Sequence, residues 1–238
     1  MTKDSAHSPL AHWSLAAFRQ GAMGIVPLLP GIFAFGLGFG TLAAAKGFTL
    51  LETFLMSATV FAGMAQYIVL QSWPDQLTLT AVVGAGLISA MVCSRFLLIG
   101  ASMRPWFGSY PARKVYPALY LLTDTNWILS MRYRAEGGRD PGYYIGSGMM
   151  IWFTWVLAAA PGYWLGASLG NPRTAGLDMV MPVFFSAMAV PLWRGPRRGI
   201  AWAVGGATAL AVDHLVGGYW YVLAGALAGS VVGGLLDD

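Results

Sequence analysis

From Gly21 to Gly234 the chain runs in long apolar blocks separated by short polar stretches. The blocks fall at residues 21–45, 50–72, 76–103, 115–131, 142–170, 178–193, 199–214 and 218–236. They are continuous and rich in Gly, Ala, Leu and Val, without the alternation of polarity that a barrel strand needs. A helix crosses the hydrocarbon with about 20 residues. The pattern therefore predicts an all-α polytopic membrane protein with about seven to eight transmembrane helical segments. The blocks at 115–131, 178–193 and 199–214 are short for a crossing. Short or Gly/Pro-interrupted segments are how transporters build broken helices, so several are expected to be half-crossings or re-entrant. Residues 21–236 are expected to form a single transmembrane domain. Residues 1–20 read as a polar tail, in which 9–20 form either a frayed end or a short interfacial helix. In the latter His12 and Arg19 are polar and Trp13, Leu15 and Phe18 apolar.

Basic residues cluster at Arg104 to Lys114, Arg132 to Arg139 and Arg194 to Arg198. Basic loops belong on the cytoplasmic side. Eight full crossings from an inside amino terminus leave the first cluster outside. Re-entry of 115–131 brings the first two clusters together but sends Lys3 and Arg19 to the far side. A shift of about 126 positions lays Gly36 on Gly162, Gly40 on Gly166, Leu51 on Leu177 and Glu52 on Asp178. That suits two repeated halves, 21–131 and 142–236, although chance matches in Gly-rich sequence are the alternative.

Composition narrows the classes. Charged residues are 10% of the chain and the mean hydropathy is +0.61, whereas a soluble domain carries about 25% charged residues. The net charge of +4 sits in loops, where it suits anionic lipid headgroups and not nucleic acid. Cys93 is the single cysteine, which excludes an intrachain disulfide and a thiolate metal site. There is no phosphate-binding Gly-Lys-Ser/Thr loop and no His-Glu-x-x-His helix, so neither ATP hydrolysis nor a metal or other cofactor is expected. His214 is the one histidine at membrane depth and no Gly-x-Ser-x-Gly elbow accompanies a serine, which gives an intramembrane enzyme little support.

The candidate chemistry lies in polar residues within the apolar blocks. Pro27, Pro30 and Gly31 should kink or break the first block. Gly36 and Gly40, four apart, share a helix face and admit close packing; the functional alternative is that the break exposes backbone groups to a substrate. Gln66 needs a partner in lipid. It serves either an interhelical hydrogen bond or, with Phe61 and Gly63, a substrate path. Arg95 stands deep in the third block, where a guanidinium is costly unless paired or wet. "LLTDTNWILS" at 121–130 places Asp124 and Asn126 in the fourth. Arg95 and Asp124 form either a structural ion pair or a site in which Asp124 receives an ammonium or a proton and Arg95 a carboxylate. Such a pair suits a zwitterion. Asp213 and His214 are either interfacial or a proton relay.

These residues carry a family resemblance. "FAFGLGFGTLAAAKGFTLLETFLMSATVFAGMAQYIVL" at 33–70 resembles the opening signature of the AzlC-type branched-chain amino-acid permeases. "LLTDTNWILS" resembles that family's Thr-Asp-Glu segment, and "AGLDMVMPVFFSAMAVPLW" at 175–193 its later Leu-Asp-x-x-x-Pro-x-x-Phe block. The resemblance covers about residues 15–235 and implies a secondary exporter of branched-chain or related hydrophobic amino acids in the bacterial cytoplasmic (inner) membrane. It also implies a small AzlD-type membrane partner. On it Phe61, Gly63, Gln66, Arg95 and Asp124 carry over onto matching positions. The chain departs at Cys93-Ser94-Arg95-Phe96, where the family has Asn-x-Arg-His, and at Thr125, where it has Glu. A non-transporting membrane subunit or scaffold, as well as the intramembrane enzyme, are the alternatives, and a homo-oligomer is compatible with each.

Overall fold

The computed structural model describes residues 13–71, 73, 78–108, 110–169, 186, 190, 193, 195–216 and 220–236. These are helical with short connections, and no strand occurs among them. Two compact units form, Met1–Val180 and Met181–Asp238. In the first, α1 (Leu15–Ile25) is capped by the Ser14 hydroxyl, which accepts from the Ala17 amide, and passes through a 3-10 turn at Val26–Leu28 into α2 (Leu29–Ala45). Then come α3 (Leu50–Thr59), α4 (Gly63–Gln71), α5 (Leu79–Cys93), α6 (Arg95–Ser102), α7 (Arg104–Phe107), α8 (Ala112–Leu119), α9 (Asp124–Ala135) and α10 (Gly142–Leu169). The second unit holds α11 (Pro196–Val216) and α12 (Trp220–Leu236).

Four stretches are long and apolar enough to cross a membrane: Leu15–Ala45, Val82–Ser102, Gly142–Ser168 and Gly199–Val216. Their large side chains, such as Leu87, Leu97, Leu98, Phe153 and Leu210, stand exposed, as side chains facing lipid do. Of the stretch 9–20, weighed as a frayed end or a short interfacial helix, residues 9–12 lie outside the described residues, and residues 15–20 open the first long element, which begins at Leu15. Ser14 and its neighbours are held there by Asp140, which accepts from the Ser14 and Gly142 amides.

The first long element and α10 run side by side and parallel. Gly142 packs on Ser14, Gly146 on Phe18, Gly36 on Trp155 and Ala158, Gly40 on Ala159, and Gly166 on Thr41. Small residues let the two backbones approach within the reach of a methyl group, which is how helices associate where lipid removes the hydrophobic drive between them. The Thr41 hydroxyl donates across this seam to the Gly162 carbonyl at 2.9 Å. Gly36/Gly162 and Gly40/Gly166, the pairs matched by the shift of about 126, thus lie on this one seam; the matches at 177 and 178 lie outside the described residues.

Two of the expected crossings turn back. α3 leaves the end where Lys46 and Thr49 stand, and its Ala58 carbonyl accepts from the Trp152 indole at 3.2 Å. Trp152 is ten residues into α10, about 15 Å from its start and close to mid-membrane. α4 then returns: the Tyr67 hydroxyl donates to the Phe35 carbonyl, the Gln71 carbonyl accepts from Lys46 Nζ at 3.1 Å, and Trp73 packs on Phe48. The α8–α9 pair does the same from the opposite end. Near its start Phe107 packs on Tyr110 and Tyr144. Farther in, Tyr144 donates to the Ala118 carbonyl and Leu121 meets Gly148. On the way back Tyr133 stacks on Tyr143. α5 and α6 run between the two ends. A long element followed by a helical hairpin therefore occurs twice, in opposite directions.

Seven to eight segments are the expectation for the whole chain, some of them broken; among the described residues four stretches are long enough to cross, and two blocks of the first unit are each split into a pair of short helices. The block at 115–131 folds back on itself, as the re-entrant alternative requires, and the block at 50–72 does so too. Because both turn back, Ser14, the Arg104 loop and the Arg132–Arg139 loop share one end, which removes the conflict between the first two basic clusters and the amino-terminal end. Most of the block at 178–193 lies outside the described residues. In the second unit α11 and α12 pack antiparallel through Gly205, Gly225 and Gly229.

Candidate functional site

The site is built where the two hairpins meet. The first begins at a capping box, in which Thr49 accepts from the Glu52 amide and the Glu52 carboxylate accepts from the Thr49 amide at 2.7 Å. Its arm α3 stops at Thr59. Val60 takes φ −109° and ψ 77°, and the chain re-enters a helix only at Gly63. Gly63 faces the indole of Trp155, and a methyl group there would lie 3.0 Å from Trp155 Cη2. The Gln66 amide nitrogen bridges the break by donating to the Met56 carbonyl at 2.7 Å, which supplies the partner that Gln66 requires.

The second hairpin turns at Tyr120–Thr123. Thr123 caps α9 by accepting from the Asn126 amide at 3.1 Å. Asp124 opens that helix, where its negative charge suits the N-terminal dipole, and pairs with Arg95 Nη2 at 2.9 Å. The two side chains are 32% and 37% exposed. Arg95 is less deeply embedded in a helix than expected: it stands at the break between α5 and α6, which Ser94 marks by donating its hydroxyl to the Met91 carbonyl. Asn126 is fully buried. Its Nδ2 donates to the Leu121 carbonyl at 3.1 Å and its Oδ1 accepts from the Ser147 hydroxyl at 2.6 Å. Its polar atoms are thus taken up in tying the hairpin turn to α10.

The tips touch. The Tyr120 hydroxyl donates to the Ala58 carbonyl, one of the orphan acceptors at the end of α3, and the Phe61 and Tyr120 rings lie 6.1 Å apart. Beside this contact some buried polar atoms have no hydrogen-bond partner among the described residues: Ser57 Oγ, Gln66 Oε1 and Trp155 Nε1, with Arg95 Nε in the neighbouring pair. Ser57 is 0%, Gln66 1% and Trp155 4% exposed. An unpaired polar group buried in hydrocarbon costs several kcal/mol, about 2–7 by common transfer scales, so their clustering at one helix break is a functional signal. Around them Phe35, Phe39, Tyr67 and Trp155 form an aromatic cluster with ring separations of 4.6–6.2 Å.

Of the residues expected from the sequence, Phe61, Gly63, Gln66, Arg95 and Asp124 come to the two tips. Pro27 lies in the 3-10 turn and Pro30 and Gly31 in the first turn of α2, all three exposed; Gly36 and Gly40 serve the α10 seam. Asp213 and His214 are exposed near the end of α11, in the second unit. Sequence reasoning missed Tyr120, Ser147, Trp152 and Trp155. Their signal was a polar handle on a side chain in an apolar run, which many lipid-facing tryptophans share.

Comparison with known proteins adds ancestry. A family model described as AzlC protein matches residues 27–169. The branched-chain amino acid transport protein AzlC of Bacillus subtilis is 23% identical over 90% of this chain and 82% of its own length. Uncharacterized membrane proteins of Haemophilus influenzae and Archaeoglobus fulgidus are 24% and 27% identical, over 81% and 92% of this chain and 77% and 95% of theirs. No solved structure matches the chain.

Proposed function

The chain belongs to the AzlC family, and from that premise we propose that it is a secondary carrier that exports branched-chain or related hydrophobic amino acids across the cytoplasmic membrane of a bacterium, together with a small AzlD-type membrane subunit. The observation that carries this reading is the meeting of two oppositely directed hairpins at mid-membrane depth, with buried polar atoms left unpaired at their tips. Broken helices facing each other at the midplane are the usual construction of a carrier site, because irregular backbone is tolerated in lipid only where it lines a site. Asp124 offers a carboxylate to the substrate ammonium, Arg95 neutralises Asp124 while the site is empty, and Asn126 holds the turn that presents them. Phe61 and the aromatic cluster supply apolar surface for the aliphatic side chain. Admission requires the tips to part, and a hairpin facing each membrane side is suited to open the site alternately.

The test is counterflow of labelled leucine, valine and isoleucine in proteoliposomes, with this chain alone and with a co-reconstituted AzlD-type protein. Saturable exchange is expected, stronger with the partner. Folded protein that shows no saturable exchange or binding of these amino acids under either condition would sink the proposal and favour the scaffold reading.

A further inference from the structure

The break between α3 and α4 presents several unpaired hydrogen-bond donors beside one unpaired acceptor, Gln66 Oε1. Gly63, Met64 and Ala65 open α4, so their amides have no carbonyl one turn back within the helix. The first turn of α4 holds no acidic residue, whereas that of α9 holds Asp124 and is capped by Thr123. The two hairpins are matched in plan, yet one helix N-terminus is filled and the other open. One buried donor stands at the open one, and a second lies on the arm that leads to it. The Trp155 indole edge lies over Gly63, with Cζ2 3.3 Å from the position of a methyl group there. Its unpartnered Nε1 is two bonds from Cζ2, on the same edge. Ser57 Oγ lies on the incoming arm, one residue from the Met56 carbonyl that Gln66 grips, and is likewise unpartnered. A helical serine ordinarily donates back to the carbonyl four residues earlier; here Thr53 does so to Thr49 at 2.9 Å but Ser57 does not.

Resting on the transport reading above, we infer that the open N-terminus of α4, with Trp155 Nε1 and Ser57 Oγ, is the carboxylate subsite of the carrier, so that the zwitterion lies across the two hairpin tips with its ammonium toward Asp124. Converging amide, indole and hydroxyl donors at a helix N-terminus are an anion site, and a carboxylate satisfies several at once. Arg95 is the competing donor to the substrate carboxylate; in the structure it donates to Asp124 at 2.9 Å. Specificity for amino acids over amines then originates on the first hairpin, and Trp155 and Ser57 are positioned to read the carboxylate.

The test compares leucine with 3-methylbutylamine, which lacks the carboxylate, in Trp155→Phe and Ser57→Ala, each reconstituted as the full chain with its partner. Each variant is expected to weaken leucine binding about tenfold or more, the loss of one hydrogen bond to a charged group, and to leave competition by the amine unchanged. Without ligand Ser57→Ala should melt at or above the wild-type temperature, because it removes a buried polar atom that has no partner. Unchanged leucine affinity in both variants overturns the subsite, and so does an equal loss for leucine and amine. Failure of the wild-type chain to bind leucine removes the transport reading itself, an outcome distinct from either. Ser57→Ala deletes one atom and keeps the test open should the tryptophan variant fail to fold.

Discussion

Two residues apart on one helix, Asp124 and Asn126 are expected to behave in opposite ways. Asn126 is buried with its amide bonded to Leu121 and Ser147. Its replacement by Ala strands the Leu121 carbonyl and leaves a void, at a cost of about 2 kcal/mol or more. Asn126→Ala should lower the melting temperature in detergent by several degrees. Asp124 keeps a third of its side chain exposed and pairs with Arg95, so Asp124→Asn should show its effect in transport, cutting leucine counterflow at least about tenfold. Full counterflow in Asp124→Asn would remove Asp124 from the site. Both residues were legible in the sequence as polar intrusions into an apolar block. What was not legible is which one is consumed internally, because that depends on Ser147, twenty-one positions away and brought near only by the return of the hairpin.

At the scale of elements, the glycines separate in the same manner. Gly40 lies against the Ala159 carbonyl and the Tyr163 amide, while nothing lies within 4 Å of a methyl group at Gly31. Gly40→Ala should force α2 and α10 apart and cost about 1–3 kcal/mol; Gly31→Ala should be neutral or gain up to about 1 kcal/mol from helix propensity. Thermal unfolding of the two variants checks this, and equal melting temperatures would contradict the tight α2–α10 seam. The helices themselves, the break at Pro27–Gly31 and the packing face of Gly36 and Gly40 follow from local pattern. The hairpins do not. The apolar block at 50–72 serves equally as one crossing or as two short arms, and the α3–α4 break contains no proline. It is held by Gln66 reaching back to Met56 and by Tyr120 and Trp152 satisfying Ala58, contacts that no local periodicity encodes.

For the first unit as a whole, the parallel seam between the first long element and α10 constrains the connectivity. Two parallel elements must be separated by an odd number of crossings. With both hairpins turning back, α5–α6 is the single crossing between them, which satisfies that condition. The same arrangement gathers Arg19, Arg104, Arg113, Lys114, Arg132, Arg134 and Arg139 toward one end, while Lys46 stands at the other. Basic loops mark the cytoplasmic side, so the amino-terminal end of this unit is expected to face the cytoplasm. Cysteines introduced at Gly108 and Gly137, in a chain with Cys93→Ala, should be labelled by a membrane-impermeant maleimide only from the cytoplasmic side, whereas Gly47 and Trp73 replaced by Cys should be labelled only from outside. A full crossing by residues 112–135 would put 108 and 137 on opposite sides, and a full crossing by 50–71 would do the same to 47 and 73. Each hairpin is thus tested independently by one pair of sites, and either pair split across the membrane would dismantle the two-tip site.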